Sequence, residues 1–185
     1  AFLRPVGSRP PTIEGTIGAA VETAADDVQA RLGAGDYEAV AAFIDPERGL
    51  AISPDAYLGE DTVVITADQV IAAATDTSLI EWGFTDGEGL PIMETIAERF
   101  AAISGDYGLT STDTICHNVR VGFGNTIDNI ADVFPAADVV EYHFEGTSLY
   151  GDFDWSSVRF VFDTTTPAPN GRPSLVAIVQ DTWTV

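Results

Sequence analysis

Lysine is absent from this 185-residue sequence, and its positive charge comes from eight arginines alone. Twenty-nine acidic residues oppose them, which gives a formal net charge of −21 at pH 7. A chain this acidic lacks the cationic surface that neutralises phosphates, so we expect it to bind neither nucleic acid nor an anionic membrane surface. Two interpretations of the charge stay open: adaptation to a salt-rich or GC-rich source, and an acidic face that collects cations or a basic partner.

The sequence is also poor in cysteine and histidine, with one and two residues. Cys116 has no partner for an internal disulfide, and its neighbours Ile115 and Val119 predict a buried, unreactive thiol. So few soft ligands make a zinc site improbable on composition, and we predict no metal and no cofactor. No stretch approaches the ~18 to 20 apolar residues of a membrane-spanning helix, so none is predicted.

What the chain does contain is enough apolar material for a core. Hydrophobic residues make up 45% and aromatic residues 10%, which excludes a disordered acidic tail. A chain of this length buries roughly 70% of its unfolded surface and needs no disulfide to fold. Residues 1–15, with Pro5, Pro10 and Pro11, are predicted to form an extended proline-rich arm, and residues 16–185 a single α+β domain.

Apolar side chains recur at three- and four-residue steps in four segments, which predicts four helices. They cover residues 17–32, 37–44, 67–74 and 95–103. Thr16 and Asp36 are the predicted N-caps of the first two helices. Thr66 and Gln69 have the spacing of a capping box for the third.

Alternating β-branched and aromatic residues predict the strands, most of them in the second half of the chain. They cover residues 50–52, 62–65, 78–85, 112–121, 138–144, 156–163 and 174–185. Helices come before the long strands and do not alternate with them, which favours an antiparallel α+β fold over a doubly wound one. We therefore predict N-terminal helices packed on a curved antiparallel sheet.

This element order resembles the cone-shaped nuclear-transport-factor-2-like fold, also described as cystatin-like, which ketosteroid isomerase shares. Several short segments of the sequence are similar to segments of an uncharacterised family of bacterial secreted or lipid-anchored proteins. The similar segments are Gly35-Asp36-Tyr37-Glu38, Asp45-Pro46-Glu47-Arg48-Gly49-Leu50, Ile52-Ser53-Pro54, Asp86-Gly87-Glu88-Gly89, Gly124-Asn125-Thr126, Val140-Glu141-Tyr142-His143-Phe144, Asp154-Trp155 and Gln180-Asp181-Thr182-Trp183-Thr184-Val185. Typical members have histidine where this chain has Asp45 and near position 180, where it has Gln180. The resemblance implies an extracytoplasmic location and no established activity.

The strand around His143 offers the candidate catalytic residues. Strand alternation puts Glu141 and His143 on one face and Tyr142 on the other. On a concave face the carboxylate would raise the imidazole pKa and make an acid/base pair, with Asp181 as an alternative partner and Tyr142 as a hydrogen-bond donor. On a convex face the pair is only strand surface.

Aromatic side chains and the second histidine offer candidate ligand contacts. Three tryptophans lie in or beside predicted strands and could stack on a flat apolar ligand at a cavity mouth, or simply pack in the core. His117 alternates with apolar strand residues and could line the same pocket or be structural. The candidate ligand-binding residues are Trp82, His117, Trp155 and Trp183.

Acidic residues near position 150 give only a weak hint of a cation site. Asp152, Asp154 and Ser156 alternate like the start of a calcium loop, but Ser157 stands where the turn glycine is needed. A looser site of Asp152, Asp154 and Glu145 is the weak alternative to no metal at all.

Three hypotheses of function follow. The first is a non-enzymatic extracytoplasmic domain that binds a small apolar ligand or associates with itself. The second is a structural subunit of a surface assembly, in which the N-terminal arm adds a strand to the next copy. The third is an isomerase- or dehydratase-like acid/base enzyme acting on a small apolar ligand.

Overall fold

The computed structural model describes residues 12–85, 87–105, 109–122 and 124–183. Five helices are present in these ranges: α1 (Ala19–Ala34), α2 (Tyr37–Ala41), α3 (Ala67–Ala72), α4 (Ile96–Ser104) and α5 (Ile130–Val133). Nine strands accompany them: β1 (Thr12–Glu14), β2 (Leu50–Ser53), β3 (Val63–Ile65), β4 (Ile80–Phe84), β5 (Pro91–Glu94), β6 (Thr114–His117), β7 (Ala137–Phe144), β8 (Ser156–Pro167) and β9 (Pro173–Thr182). No helix in the described ranges is both long enough and apolar enough to cross a membrane.

Seven strands form one sheet in the order β1-β6-β7-β8-β9-β2-β3, and β4 and β5 form a separate hairpin. The neighbours from β6 to β9 pair antiparallel, as do β2 and β3. The pairs β1–β6 and β2–β9 are parallel, so the sheet is mixed. The predicted α+β class, with helices packed on a large sheet, is confirmed, and the parallel pairs correct the purely antiparallel expectation to a mixed sheet.

Helix boundaries follow local capping chemistry. The Thr66 and Thr95 hydroxyls each accept the N–H of the third helical residue, and Gln69 and Glu98 reach back to complete capping boxes for α3 and α4. Asp36 caps α2 as predicted. The prediction of Thr16 as the first N-cap is wrong, because α1 begins after Gly18 and the Thr16 carbonyl accepts a hydrogen bond from Asn118.

Several elements differ from the sequence expectation, including β5 and α5, which it did not predict, and two of the differences have a clear structural reason. The strand predicted over residues 112–121 ends at His117, because Asn118 adopts a left-handed backbone with φ of 53°. Part of the predicted arm is a strand of the main sheet, since β1 pairs with β6 of its own chain. The chain then passes so close to β6 that a Cβ on Gly15 would lie 2.1 Å from the His117 carbonyl oxygen. Residues 1–11 lie outside the described residues.

The core lies between the helices and one face of the sheet, called the inner face here. Its buried side chains alternate along the long strands and include Val140, Tyr142, Val158, Phe160 and Ile178. Helix α1 contributes Val21, Val28 and Leu32 to the same cluster. The opposite, outer face of the sheet therefore carries Glu141, His143, Ser157, Arg159 and Asp181.

Candidate functional site

The outer face is covered by the chain itself. The described residues between β6 and β7, 118–122 and 124–136, are called the covering segment; they cross this face and include α5. Ile130 and Phe134 of this segment pack against Val161 and Val179 of the sheet in a second apolar cluster. Because this cover hides outward side chains, the polar residues beneath it are buried and not solvated.

Two asparagines fasten the ends of the covering segment. The Asn118 side chain accepts the Val139 N–H and donates to Asp138. The Asn129 amide accepts the Leu58 N–H and donates to the Leu58 carbonyl, with both distances 2.8 Å. The segment is thus tied to β7 at its start and, just before α5, to the chain after β2.

Glu141 fastens the middle of the segment. It is 1% exposed, and its two oxygens accept four hydrogen bonds. Two come from the Val121 and Gly122 backbone N–H groups at 3.2 and 3.0 Å. The others come from the Ser157 hydroxyl at 2.6 Å and the Arg159 Nε at 3.3 Å. A buried carboxylate with this many donors acts as a structural anchor.

Arg159 links Glu141 to a second buried carboxylate. Its Nη2 donates to Asp181 Oδ2 at 2.5 Å, and Arg120 of the covering segment donates to the same oxygen at 2.7 Å. Arg159 and Asp181 are each 1% exposed. Burial by itself lowers the pKa of Arg159, but Glu141 and Asp181 outweigh it and raise that pKa above its usual value. The guanidinium therefore stays charged and holds both carboxylates.

His143 joins the network through Ser157. The Ser157 hydroxyl gives its hydrogen to Glu141, so its oxygen accepts a hydrogen bond from His143 Nδ1 at 2.8 Å. In the neutral ring this leaves Nε2 without a proton. Burial lowers the pKa of His143 and outweighs the opposite effect of Glu141, Glu145 and Asp113. The ring of Trp155 lies 6.0 Å from the imidazole.

A cavity of about 350 Å³ lies between the covering segment and the outer face. One side is apolar, and the other is formed by charged side chains of the buried network. The apolar side includes Ile130, Ala131, Phe134, Pro135, Ala137 and Val139. The charged side is Arg120, Asp128, Glu141 and Arg159. A volume of this size with an apolar wall and a few placed polar groups is typical of a small-molecule site.

The charged side of this cavity contains an unsatisfied donor. Among the described residues, Arg159 Nη1 is buried and has no hydrogen-bond partner. Its nearest carboxylate is Asp128, at 3.9 Å, which is an ion-pair distance too long for a hydrogen bond. A buried donor costs free energy until an acceptor reaches it. The space beside Arg159 and Asp128 is therefore suited to a hydrogen-bond acceptor on a ligand.

The structure separates the predicted catalytic residues. Glu141, His143 and Asp181 share the outer face, but Tyr142 lies on the inner face, where its ring packs 5.2 Å from that of Phe160. Glu141 lines the cavity, whereas His143 lines a different cleft. Tyr142 therefore shares no site with the other three.

The predicted ligand-binding residues are dispersed as well. His117 is buried on the inner face opposite Val140. Trp82 is buried in the hairpin, and its indole donates to the Glu94 carbonyl at 3.0 Å. Trp155 and Trp183 lie at the end of the sheet, where Trp183 packs on Phe153 with ring centroids 4.5 Å apart. None of the four lines the cavity on the outer face.

Of the acidic residues considered for calcium, Glu145 and Asp152 line one cleft, and Asp154 is held by Thr147. Asp154 accepts hydrogen bonds from the Thr147 backbone and hydroxyl, and these lower its pKa. Within the described part of the chain, no three acidic, cysteine or histidine residues are grouped as a metal site. Cys116 is buried, as predicted, and burial raises its pKa to about 11.

Asp45 and Gln180 stand where typical members of the similar family have histidine. Asp45 forms an ion pair, and Gln180 accepts a hydrogen bond. Asp45 is 3% exposed and pairs with Arg48, which also pairs with Asp163. Gln180 accepts a hydrogen bond from Arg99 on the inner face. Both residues support packing between the sheet and its neighbouring elements.

Sequence reasoning missed Arg120, Asp128, Ser157 and Arg159. A signal was present in β8, where Ser157 and Arg159 alternate with Val158 and Phe160, so two polar groups had to face away from the core. Arg159 lies opposite Glu141, and Ser157 lies opposite Asp181, only because of the register between the strands, which the sequence did not specify.

Comparisons with known proteins give two weak structural similarities. No family model matches the chain, and no curated protein matches it. One similar solved structure, from Xanthomonas campestris, is described as a calcium/calmodulin dependent protein kinase II association domain; the match covers 97% of both chains at 11% identity and a TM-score of 0.39. Another is the orange carotenoid protein of Anabaena (Nostoc) sp. PCC 7120 binding canthaxanthin, at 12% identity and a TM-score of 0.36, covering 98% of this chain and 41% of the other.

Proposed function

We propose that this protein is a non-enzymatic binding domain that holds a small apolar molecule in the cavity on the outer face of its sheet. The observation that carries the proposal is the unsatisfied Arg159 Nη1 at the charged side of an otherwise apolar cavity of about 350 Å³. An apolar ligand fills the space under α5, and one acceptor atom on it satisfies the arginine.

The charges around the cavity favour a ligand whose hydrogen-bond acceptor is uncharged. Arg120 and Arg159 face three carboxylates in the same network, those of Asp128, Glu141 and Asp181. The whole chain carries a formal charge of −21, which repels anions at long range. A ketone or amide carbonyl accepts a hydrogen bond without adding negative charge, so it fits this site better than a carboxylate does.

The engagement of the two carboxylates argues against acid/base catalysis as the main role. Glu141 accepts four hydrogen bonds, and Oδ2 of Asp181 accepts one from each of two arginines, while its Oδ1 is buried without a hydrogen-bond partner among the described residues. Accepting a substrate proton at either one would sacrifice contacts that fasten the covering segment. His143 lines a separate cleft, so no proton donor and acceptor of this set face one another across the cavity.

A fluorescence titration with prodan, a neutral naphthalene ketone, tests the proposal. We expect a saturable blue shift with one prodan bound per chain. Ala131→Trp, which adds bulk to the cavity from α5, should weaken binding at least about tenfold. Ala72→Trp is the matched control, since it places the same side chain on exposed α3 and should leave binding unchanged.

A second ligand isolates the acceptor. The propyl analogue of prodan, in which CH₂ replaces the ketone carbonyl, keeps the apolar groups and should bind roughly five- to tenfold more weakly than prodan, as expected for one lost hydrogen bond of about 1 to 1.5 kcal/mol. Equal binding of prodan to Ala131→Trp and to the unmodified chain would place the probe elsewhere and overturn the proposal.

We further propose that the protein belongs to the uncharacterised secreted or lipid-anchored family named above and works outside the cytoplasm. The residue similarities from Gly35 to Trp183 support this membership. Immunodetection in separated cell fractions of the source organism tests the location. Recovery in the cytoplasmic fraction alone would contradict it.

Self-association stays a prediction, but its surface is constrained. Folds of this class offer an open sheet face for pairing, whereas here the covering segment occupies the outer face. A second copy would therefore contact the covering segment, an edge strand or the exposed loops. Sedimentation velocity over a concentration series tests whether dimers form.

A further inference from the structure

A second cleft, of about 460 Å³, lies at the end of the sheet and is called the end cleft here. Its lining residues are Val121, His143, Glu145, Gly146, Asp152 and Trp155. None of these six lines the cavity under the covering segment. The end cleft is therefore a separate site, and its occupant does not depend on the apolar ligand proposed above.

The loop between β7 and β8 folds back on itself and so brings Glu145 and Asp152 to the same cleft. Asp154 accepts hydrogen bonds from the N–H and the hydroxyl of Thr147, at 2.5 and 2.7 Å. The Asp152 N–H donates to the Thr147 carbonyl at 2.9 Å. Gly146 passes so close to Asp152 that a Cβ on it would lie 2.3 Å from the Asp152 carbonyl oxygen. The loop's own contacts thus fix where its two carboxylates meet the cleft.

His143 offers this cleft a hydrogen-bond acceptor that no protein group uses. The side chain is only 8% exposed, and its Nδ1 is engaged by Ser157, which does not line the cleft. Nε2 has no hydrogen-bond partner among the described residues, and it is not enclosed as Nε2 of His117 is, so it opens into the cleft. Because burial lowers the pKa of His143, the ring is neutral at pH 7.5 and Nε2 carries a lone pair. A ligand with an N–H donor would complete the hydrogen bonding of this side chain.

The electrostatic field in the end cleft favours a positive charge. Glu145 and Asp113 both act on the His143 ring in the direction that favours its charged form, although burial outweighs them. Asp113 lies directly beside Glu145, whose N–H it accepts at 2.9 Å. Trp155 adds an aromatic ring 6.0 Å from the imidazole, and the faces of such rings attract cations. Neither arginine nor lysine is among the residues that line the cleft, so its negative field is available to a ligand cation.

We propose that the end cleft binds a small primary ammonium ion, which donates hydrogen bonds to His143 Nε2 and to the carboxylates of Glu145 and Asp152 while its apolar part packs on Trp155. A primary ammonium group has three N–H donors, one for each of these acceptors. A quaternary ammonium group carries the same charge but has no donor for Nε2. A metal ion fits less well, because no three acidic, cysteine or histidine residues of the described chain are grouped as metal ligands.

Calorimetric titration of the full chain with benzylammonium tests this site. At about 0.15 M salt, where the Debye length is about 8 Å, charges far from the cleft are largely screened. We expect saturable binding of one benzylammonium ion per chain. Benzyltrimethylammonium keeps the ring and the charge but can donate to none of the three acceptors, so it should bind at least about tenfold more weakly. Benzyl alcohol keeps the ring without the charge and should be weakened at least as much.

Nitrogen NMR of the two histidines shows where benzylammonium binds. A hydrogen bond accepted by the lone pair of His143 Nε2 should shift its ¹⁵N signal upfield, toward the position of a protonated ring nitrogen. The signals of His117, which is buried on the inner face, should not move. Benzyltrimethylammonium should leave both histidines unchanged.

A pair of matched double variants separates the cleft from the overall charge of −21. Glu145→Gln with Asp152→Asn changes two exposed side chains to amides of the same shape, and asparagine tolerates the left-handed backbone of Asp152, with φ of 64°. This variant should bind benzylammonium at least about tenfold more weakly. Glu60→Gln with Asp61→Asn makes the same change in net charge at exposed positions before β3 and should leave binding unchanged.

Three results would overturn the proposal. An equal loss in the two double variants would mean that net charge alone attracts the ion. An unshifted His143 Nε2 signal at saturation would place the ammonium group elsewhere. Binding of calcium to the cleft without binding of benzylammonium would show a metal site in its place.

Discussion

Replacing Arg159 by methionine tests the buried ionic network most directly. The substitution keeps much of the side-chain volume but removes the cation between Glu141 and Asp181, both 1% exposed. It deletes the hydrogen bond to Asp181 at 2.5 Å and that to Glu141 at 3.3 Å. Hydrogen bonds to charged groups contribute about 1.5 to 3 kcal/mol each, and breaking a buried pair costs about 3 to 5 kcal/mol. We expect Arg159→Met to lower the free energy of unfolding by about 3 to 5 kcal/mol.

Urea unfolding followed by tryptophan fluorescence measures this loss. Arg31→Met is the control, since Arg31 is 38% exposed and pairs with Asp36 at the end of α1. An exposed pair contributes about 0 to 1 kcal/mol, so the control should lose no more than that. Domains of ordinary stability unfold with about 5 to 15 kcal/mol, which makes the expected loss at Arg159 a large fraction of the total.

A triple variant identifies the cause of the loss. Adding Glu141→Gln and Asp181→Asn to Arg159→Met removes the two carboxylate charges that the single variant leaves without their cation. Buried ion networks replaced as a whole are often near neutral in stability, so the triple variant should be more stable than the single one. A loss below about 1 kcal/mol for Arg159→Met, or a triple variant no more stable than the single, would refute the reasoning.

Two further predictions concern the same face. Since the folded pKa of His143 lies below its unfolded value near 6.5, neutral His143 stabilises the fold above that pH, and the stability is lost as pH falls. Between pH 7.5 and 5.5 this group should remove up to about 1.4 kcal/mol in urea titrations, a contribution that His143→Gln lacks; identical pH slopes for the two chains would contradict it. A Cβ on Gly122 would lie 2.5 Å from the Trp155 ring and 2.7 Å from Ser157 Oγ, so Gly122→Ala should destabilise by about 1 to 3 kcal/mol in thermal melts. Gly33→Ala in α1 meets nothing within 4 Å and should stabilise by about 0.5 to 1 kcal/mol, and equal signs for the two variants would count against the packing argument.

The sequence by itself determined helices α1 to α4 and seven of the nine strands, though not β1, β5 or α5, and it determined the alternation of polar and apolar residues along strands such as β7. Capping residues such as Thr66 act within one turn, and the alternation around Tyr142 follows from the strand repeat, so both can be read locally. For the same reason the separation of Tyr142 from Glu141 onto opposite faces follows from their adjacent positions in the chain.

Only the tertiary structure decided what covers the outer face. Residues 118–136 have no strong periodicity, and their position follows from distant contacts such as Asn129 with Leu58 and Arg120 with Asp181. Those contacts bury Glu141, which sequence reasoning placed in a catalytic pair or on a solvated surface. Contacts between residues that are distant in the sequence decide how deeply a carboxylate is buried and which hydrogen-bond donors surround it. Neither property can be predicted from the spacing of residues along the chain.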